Sequence, residues 1–297
     1  MNALTRTRRR RADALLAASL LTLAALPAAA QDDRFANVEV VAQPVSGHVY
    51  MLTGAGGNIG ASIGPDGTLI VDDQYQPLAE RIATALEELG GDRPKLILNT
   101  HFHGDHTGGN PVFGATGAIV AHDNVRARLL DAEDFSPAGL PVLTFADRVQ
   151  VHFNGDTIDV VHLPAGHTDG DSVVWFRQDN VLHMGDLLFH GAFPFIDLSS
   201  GGSVDGVIAN LTKVLEMMPA DVRIIPGHGA LADLDDVRES LAMILETRAS
   251  VAAALASGLS VDEVVSRGLG DEWASWGAGF INDERWIRTL AASPGSS

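Results

Sequence analysis

No cysteine occurs anywhere in the chain. Disulfide staples, thiolate metal ligands and a cysteine nucleophile are therefore excluded, and any metal site must be built from nitrogen and oxygen donors. Stability must come from a buried core, helped by whatever metal is bound. Lysine is almost missing too: Lys95 and Lys213 are the only two, and 20 basic residues face 38 acidic ones. A formal net charge of −18 repels nucleic acid and anionic membrane, which sets both aside as partners. Acidic chains are often disordered, but a hydrophobic content of 46% is that of a globular protein. Internal repeats and low-complexity linkers are absent. The apolar run from Leu15 to Pro27 is too short and alanine-rich for a comfortable membrane span.

That run has a different meaning. Arg8 to Arg11 precede it, and Ala28-Ala29-Ala30 follow it. A basic head, an apolar middle and a small-residue end predict a signal peptide over residues 1–30, with residues 31–297 as the mature domain. Paired arginines leave the general secretory and twin-arginine routes both open. The mature chain would carry 15 basic and 37 acidic side chains, a net of −22, and would be periplasmic or secreted, with no membrane attachment after cleavage.

Residues 37–73 read as short Val- and Ile-rich strands around the turn signal Pro65-Asp66-Gly67. The spacing of Leu78, Ile82, Leu86 and Leu89 predicts a helix over 77–90. "PKLILNT" is a buried strand, and a short helix, a strand and a helix follow it. Strand patterns return over 142–184, with turns at Asn154-Gly155-Asp156 and Gln178-Asp179-Asn180. An amphipathic helix spans 204–218, "VRIIPG" is a last buried strand, and 231–292 is mostly helical, beginning with a helix over 231–256. Strands then helices, twice over, predict one α/β domain of two halves, with sheets inside and helices outside. The helix over 231–256 and the tail around "WASWGAGF" are expected to form a lid.

What the chain does have in excess is histidine in one place. "NTHFHGDHTGG", residues 99–109, carries His101, His103, Asp105 and His106 within six positions. Two histidines two apart point to one side of an extended chain, and Gly104 permits the bend that turns Asp105 and His106 back. The segment leaves a buried strand, which gives its side chains a rigid base. Imidazole and carboxylate donors suit zinc, and also iron or manganese. Three further candidates follow later apolar strands and are flanked by glycine: His167 in "LPAGHTDGD", Asp186 in "HMGDLLFH" and His228 in "IIPGHGA". The remaining histidines, His48, His122, His152, His162 and His183, read as ordinary strand or helix-start residues.

The series H-x-H-x-D-H, G-H-T, G-D and P-G-H-G resembles the metallo-β-lactamase superfamily over nearly all of the mature chain. The resemblance implies an αββα sandwich, two β-sheets packed face to face with helices outside, and two metals, expected to be zinc, at one edge. It places His101, His103 and His167 on the first metal and Asp105, His106 and His228 on the second, with Asp186 bridging. Asp72 resembles the acidic residue that supports a ligand histidine. Phe189, His190, Phe193 and Phe195 are expected to wall a small-molecule pocket. The glycine-rich "TGAGGN", 53–58, reads as a loop over the metals or a tight turn.

Two dications activate water and polarise a carbonyl, so the resemblance implies hydrolysis of a cyclic amide or ester, with Asp105 orienting the nucleophile. Flavin-linked diiron relatives carry glutamate where this chain has His103, and nuclease relatives fit poorly with the acidic charge. Export and overall pattern lean to a class-B β-lactamase-like hydrolase and antibiotic resistance. Those enzymes, however, use cysteine where Asp186 stands and a substrate-gripping lysine where Phe189 stands. An aspartate bridge resembles lactonases and thioesterases such as hydroxyacylglutathione hydrolases, for which Arg285 and Arg288 are the late basic candidates. A non-catalytic periplasmic metal or ligand binder is the alternative of another class.

Overall fold

Alternation along the strands sorts the apolar residues of the chain into three layers. A computed structural model describes residues 33–293, and the predicted signal peptide, residues 1–30, lies outside the described residues. Contacts gather the described residues from Phe35 onward into one compact unit.

The first sheet holds β1 (Val41–Ser46), β2 (Val49–Thr53), β3 (Ile59–Gly64), β4 (Gly67–Val71), β5 (Leu96–Leu98), β6 (Ala118–His122) and β7 (Leu143–Phe145), in that spatial order. Its first four strands pair antiparallel and the rest are parallel. The second sheet holds β8 (Arg148–Phe153), β9 (Asp156–His162), β10 (Ser172–Phe176), β11 (Val181–His183) and β12 (Arg223–Ile225), again in sequential order. There β11 and β12 are parallel, while β9 and β10 alternate in direction.

Side chains two apart share a face. Met51, Leu69, Val71, Leu98 and Val120 of the first sheet meet Ile158, Val160, Val174, Val181 and Ile225 of the second in a central layer. The alternate residues Leu52, Ile70, Ile97 and Ile119 face outward and pack on Ile82 and Leu86 of α1 (Ala79–Glu88). Two one-turn helices, α2 (Gly104–Thr107) and α3 (Asn110–Phe113), and then α4 (Asp123–Asp131) complete the first half. Behind the second sheet, Val173, Leu182 and Ile224 pack on α5 (Val204–Met217), α6 (Leu234–Ala256), α7 (Val261–Arg267) and α8 (Asp283–Ala292). The result is the α/β sandwich, helix–sheet–sheet–helix, anticipated from the sequence.

Two local departures have physical causes. The predicted helix over 231–256 starts at Leu234, because Ala232 is held in a bridge to Ile224 and Asp233 forms a capping box with Asp236. Residues 104–107 coil into one helical turn rather than a simple bend, which swings Asp105 and His106 back over the sheet end.

Trp286 of α8 locks the rear layer. It is fully buried, its indole N–H donates to Thr247 Oγ1 at 3.0 Å, and it stacks on Phe193 at 5.7 Å between centroids. Trp286→Ala is expected to lower the unfolding free energy by about 3–5 kcal/mol in urea titrations, and Trp286→Phe by clearly less. A loss under about 1 kcal/mol for the alanine variant would contradict this packing.

Candidate metal centre

Strand direction decides which loops meet. β4 and β5 run parallel, and β9, β11 and β12 all point the same way. Their carboxyl ends release Asp72, the 99–106 segment, His167, Asp186 and His228 at one edge of the sandwich, the usual place for a ligand in sheets of this kind. Seven donor side chains converge there as two groups: His101, His103, His167 and Asp186, and Asp105, His106 and His228.

The outer ring nitrogens fix the tautomers. His106 Nδ1–H donates to Asp72 Oδ2 at 2.7 Å, and His167 Nδ1–H to the Phe195 carbonyl at 2.7 Å. His103 Nε2–H donates to Asp197 Oδ2 at 3.2 Å. Thr100 Oγ1 gives its proton to Asp72 Oδ2 at 2.7 Å and accepts from His101 Nδ1–H at 3.1 Å. Each of these partners accepts a hydrogen bond from a ring N–H, so the opposite nitrogen of each ring presents a lone pair. Those lone pairs crowd together: His103 Nδ1 lies 3.1 Å from His101 Nε2 and 2.8 Å from His167 Nε2. Nitrogens this close with no proton between them repel unless a cation joins them.

Asp186 faces both groups. Its Oδ2 is 3.5 Å from His167 Nε2 and 3.9 Å from His101 Nε2; its Oδ1 is 3.0 Å from His106 Nε2 and 3.4 Å from His228 Nε2. Asp105 Oδ2 closes the second group, 3.5 Å from His228 Nε2 and 3.8 Å from His106 Nε2. His106 Nε2 and Asp186 Oδ1 are buried and make no hydrogen bond. Orphaned buried donors amid nitrogen and oxygen ligands fit a pair of divalent ions better than any protein partner.

Electrostatics agree with that fit. Burial holds His101 well below the ordinary imidazole range and brings His167 down to about 4, so both stay neutral and able to ligate. Burial would lower His106 too, but the Asp186 and Asp72 carboxylates outweigh it and raise it well above its usual value: positive charge is favoured at Nε2. Burial pushes Asp186 up, and His106, His228 and His101 pull it well below the carboxylate range. Two glycines make room. A side chain on Gly57 would begin 2.1 Å from the His106 ring, and one on Gly227 2.1 Å from Asp186 Oδ1.

A cleft of about 580 Å³ opens above the donors. Phe189, Phe193 and Phe195 line it, and Phe189 stacks on His228 at 4.9 Å. The expectation for His190 is corrected: its Nδ1 bonds the Ala230 carbonyl at 2.9 Å, its Nε2 lies 3.4 Å from Asp236, and it does not line the cleft. Gly56 of the glycine-rich loop and Gly279 and Phe280 of the tail also line it. Arg285 is drawn to Phe280, and Arg288 to Asp262 and Glu284, so neither basic candidate enters the cleft. His183 bonds the Asn58 carbonyl as a satisfied core residue. Asp197 and Thr100 were missed by the sequence reading. The "DLSS" cap pattern is a trace of Asp197, whose carboxylate accepts from Ser199 and Ser200; burial opposes ionisation, but these bonds and His103 hold its pKa low.

Comparison with known proteins agrees with this architecture. The family model described as the metallo-beta-lactamase superfamily matches residues 61–228. The hydroxyacylglutathione hydrolase of Nitrosococcus oceani is 34% identical over 156 residues, 51% of this chain and 55% of that protein. The metallo-beta-lactamase type 2 of Bacteroides fragilis is 29% identical over 162 residues, 54% of this chain and 62% of that protein. The chain thus spans little more than half the length of the curated relatives it matches. A solved metallo-beta-lactamase from Pontibacter korlensis shares the fold, with a TM-score of 0.60 and 18% identity over 70% of this chain and 99% of that one.

Asp72→Ala removes the acceptor of the His106 and Thr100 bonds. It should weaken zinc binding about 10–100-fold in competition against a chromogenic chelator, and Asp197→Ala, which removes the partner of only one donor histidine, His103, should weaken it less. Unchanged affinity in both variants would contradict the roles given to these carboxylates.

Proposed function

Since the chain belongs to the metallo-beta-lactamase superfamily, we propose that it is a metal-dependent hydrolase that uses two zinc ions to hydrolyse the acyl bond of a cyclic amide or an ester. The observation that carries the reading is the set of inward lone pairs on His101, His103, His106 and His167, with His106 Nε2 and Asp186 Oδ1 buried, 3.0 Å apart and without a hydrogen bond. His101, His103 and His167 would hold one ion, Asp105, His106 and His228 the other, and Asp186 both. When bound, such a pair lowers the pKa of water and polarises a carbonyl.

The residues of the chain do the rest. Asp105 lines the cleft with its carboxylate partly exposed, where it orients a water and takes its proton. Phe189 and Phe195 lie against His228 and His167 and keep bulk water from that floor. Water adds at the acyl carbon, the bond to nitrogen, oxygen or sulfur breaks, and the leaving group takes up the proton. No nucleophilic side chain is needed. A lactone or thioester fits better than a β-lactam on one specific ground: no Lys or Arg is present among the residues lining the cleft, so nothing there grips a carboxylate. The relative from Nitrosococcus oceani, by its name a hydrolase of hydroxyacylglutathione, supports acyl hydrolysis but not that substrate, whose glutathione carboxylates would also meet no Lys or Arg in this cleft. Export is part of the proposal and rests on the arginine block, apolar run and alanine triplet of residues 1–30.

A panel of lactones, thioesters, a carbapenem and a cephalosporin tests this. Chelator-stripped protein should be inactive and regain turnover with zinc, and Asp105→Asn should lower kcat about 10²–10⁴-fold. Turnover that survives chelation, or an Asp105→Asn variant as fast as the parent, would overturn the reading.

A further inference from the structure

The cleft above the donors is built from rings. Tyr75, Phe189, Phe193, Phe195 and Phe280 supply most of its walls, and Tyr75 brings the only side-chain hydroxyl among the lining residues. The charged lining groups are the donor side chains themselves. A carboxylate on the part of a substrate that extends away from the reacting carbonyl would be desolvated against the negative faces of these rings, with no cation to receive it. The acidic chain, net −18, adds to that penalty at long range.

Phe280 stands out on this wall. It is 68% exposed, unusual for a large apolar side chain, yet it is held in place. Its ring meets Phe195 edge-on at 5.8 Å, the Arg285 guanidinium covers it at 4.5 Å, and Arg285 Nη1 donates to the Phe280 carbonyl at 2.9 Å. Phe195 in turn touches both His103 and His167. A continuous aromatic path therefore leads from the donor cluster to a ring fixed at the mouth. The Arg285 guanidinium lies over the Phe280 ring and donates to the Phe280 carbonyl, and it is not among the residues lining the cleft.

Resting on the hydrolase reading above, we infer that this cleft selects uncharged esters and lactones with a hydrophobic acyl chain, and that Phe280 is a specificity-determining residue covering the far end of that chain. The volume of about 580 Å³ suits a ligand of that size. The reaction balances without any other reactant: water adds to the acyl carbon, the ester C–O bond breaks, and an acid and an alcohol leave.

The test uses the zinc-loaded protein and 4-nitrophenyl esters from acetate to octanoate, with an equally long ester that ends in a carboxylate. We expect kcat/KM to rise at least tenfold from acetate to octanoate and to fall at least tenfold for the carboxylate-ended ester. Phe280→Ala should raise KM for octanoate five- to tenfold and leave acetate within twofold, while Phe280→Trp restores the parent value. Equal turnover of the carboxylate-ended ester, or an octanoate KM unmoved by Phe280→Ala, overturns the inference. Calorimetric binding of octanamide and of its carboxylate-ended counterpart separates this from the hydrolase reading. If neither these esters nor the lactone, thioester and β-lactam panel is turned over, that reading fails, yet octanamide binding weakened at least fivefold by Phe280→Ala upholds the selectivity. Absent binding, or equal binding of the anionic amide, overturns it.

Discussion

Mutual repulsion of unprotonated ring nitrogens is the constraint on which this structure turns. Asp72, Asp197, Thr100 and the Phe195 carbonyl each accept a hydrogen bond from the outward side of a histidine, which forces the lone pairs inward. The His103 lone pair then lies within 2.8–3.1 Å of two others. Such a cluster favours positive charge at its centre: burial keeps His101 and His167 neutral, while the Asp186 and Asp72 carboxylates outweigh burial at His106 and favour a positive charge there. The outer partners matter as much as the donors, because they set which nitrogen is available.

Holding the cluster costs backbone freedom elsewhere. Asp72 and Gln74 both sit at positive φ, 63° and 56°, a region that residues with side chains seldom occupy. The strain turns the chain sharply at the end of β4, so that Asp72 reaches under His106 and Thr100 while Gln74 ties to the Gly57 carbonyl at 2.7 Å. Gly57 and Gly227 then bring backbone against His106 and Asp186 where a side chain would collide. The sandwich behind them is rigid because three separate apolar layers fix the strand ends. Precision at the edge thus derives from ordinary packing a few residues away.

The donor side chains could be read from the sequence because ligation confines them to short segments directly after apolar strands: 101–106, 167, 186 and 228. Period-two alternation and glycine flanks carry that signal locally. Partners that come from distant loops left almost no trace. Asp197 lies 94 residues from His103, and nothing in the local pattern says which way its carboxylate points. His190 shows the opposite failure. Its backbone is joined to His228 at 2.9 Å, so proximity to the site was readable, but its ring direction is set by Ala230 and Asp236, on the next loop and helix. The tail "WASWGAGF" reads in the sequence only as part of a lid, and the placement of Phe280 depends on Arg285 and Phe195, which only the folded chain brings together.

Seven side chains, divided by Asp186 into two sets, amount to a count that can be checked. Chelator-stripped protein titrated with zinc and weighed by native mass spectrometry gives it directly. The account predicts two tightly held ions per chain, with His228→Ala retaining one; a single ion in the parent protein, or none, would contradict it.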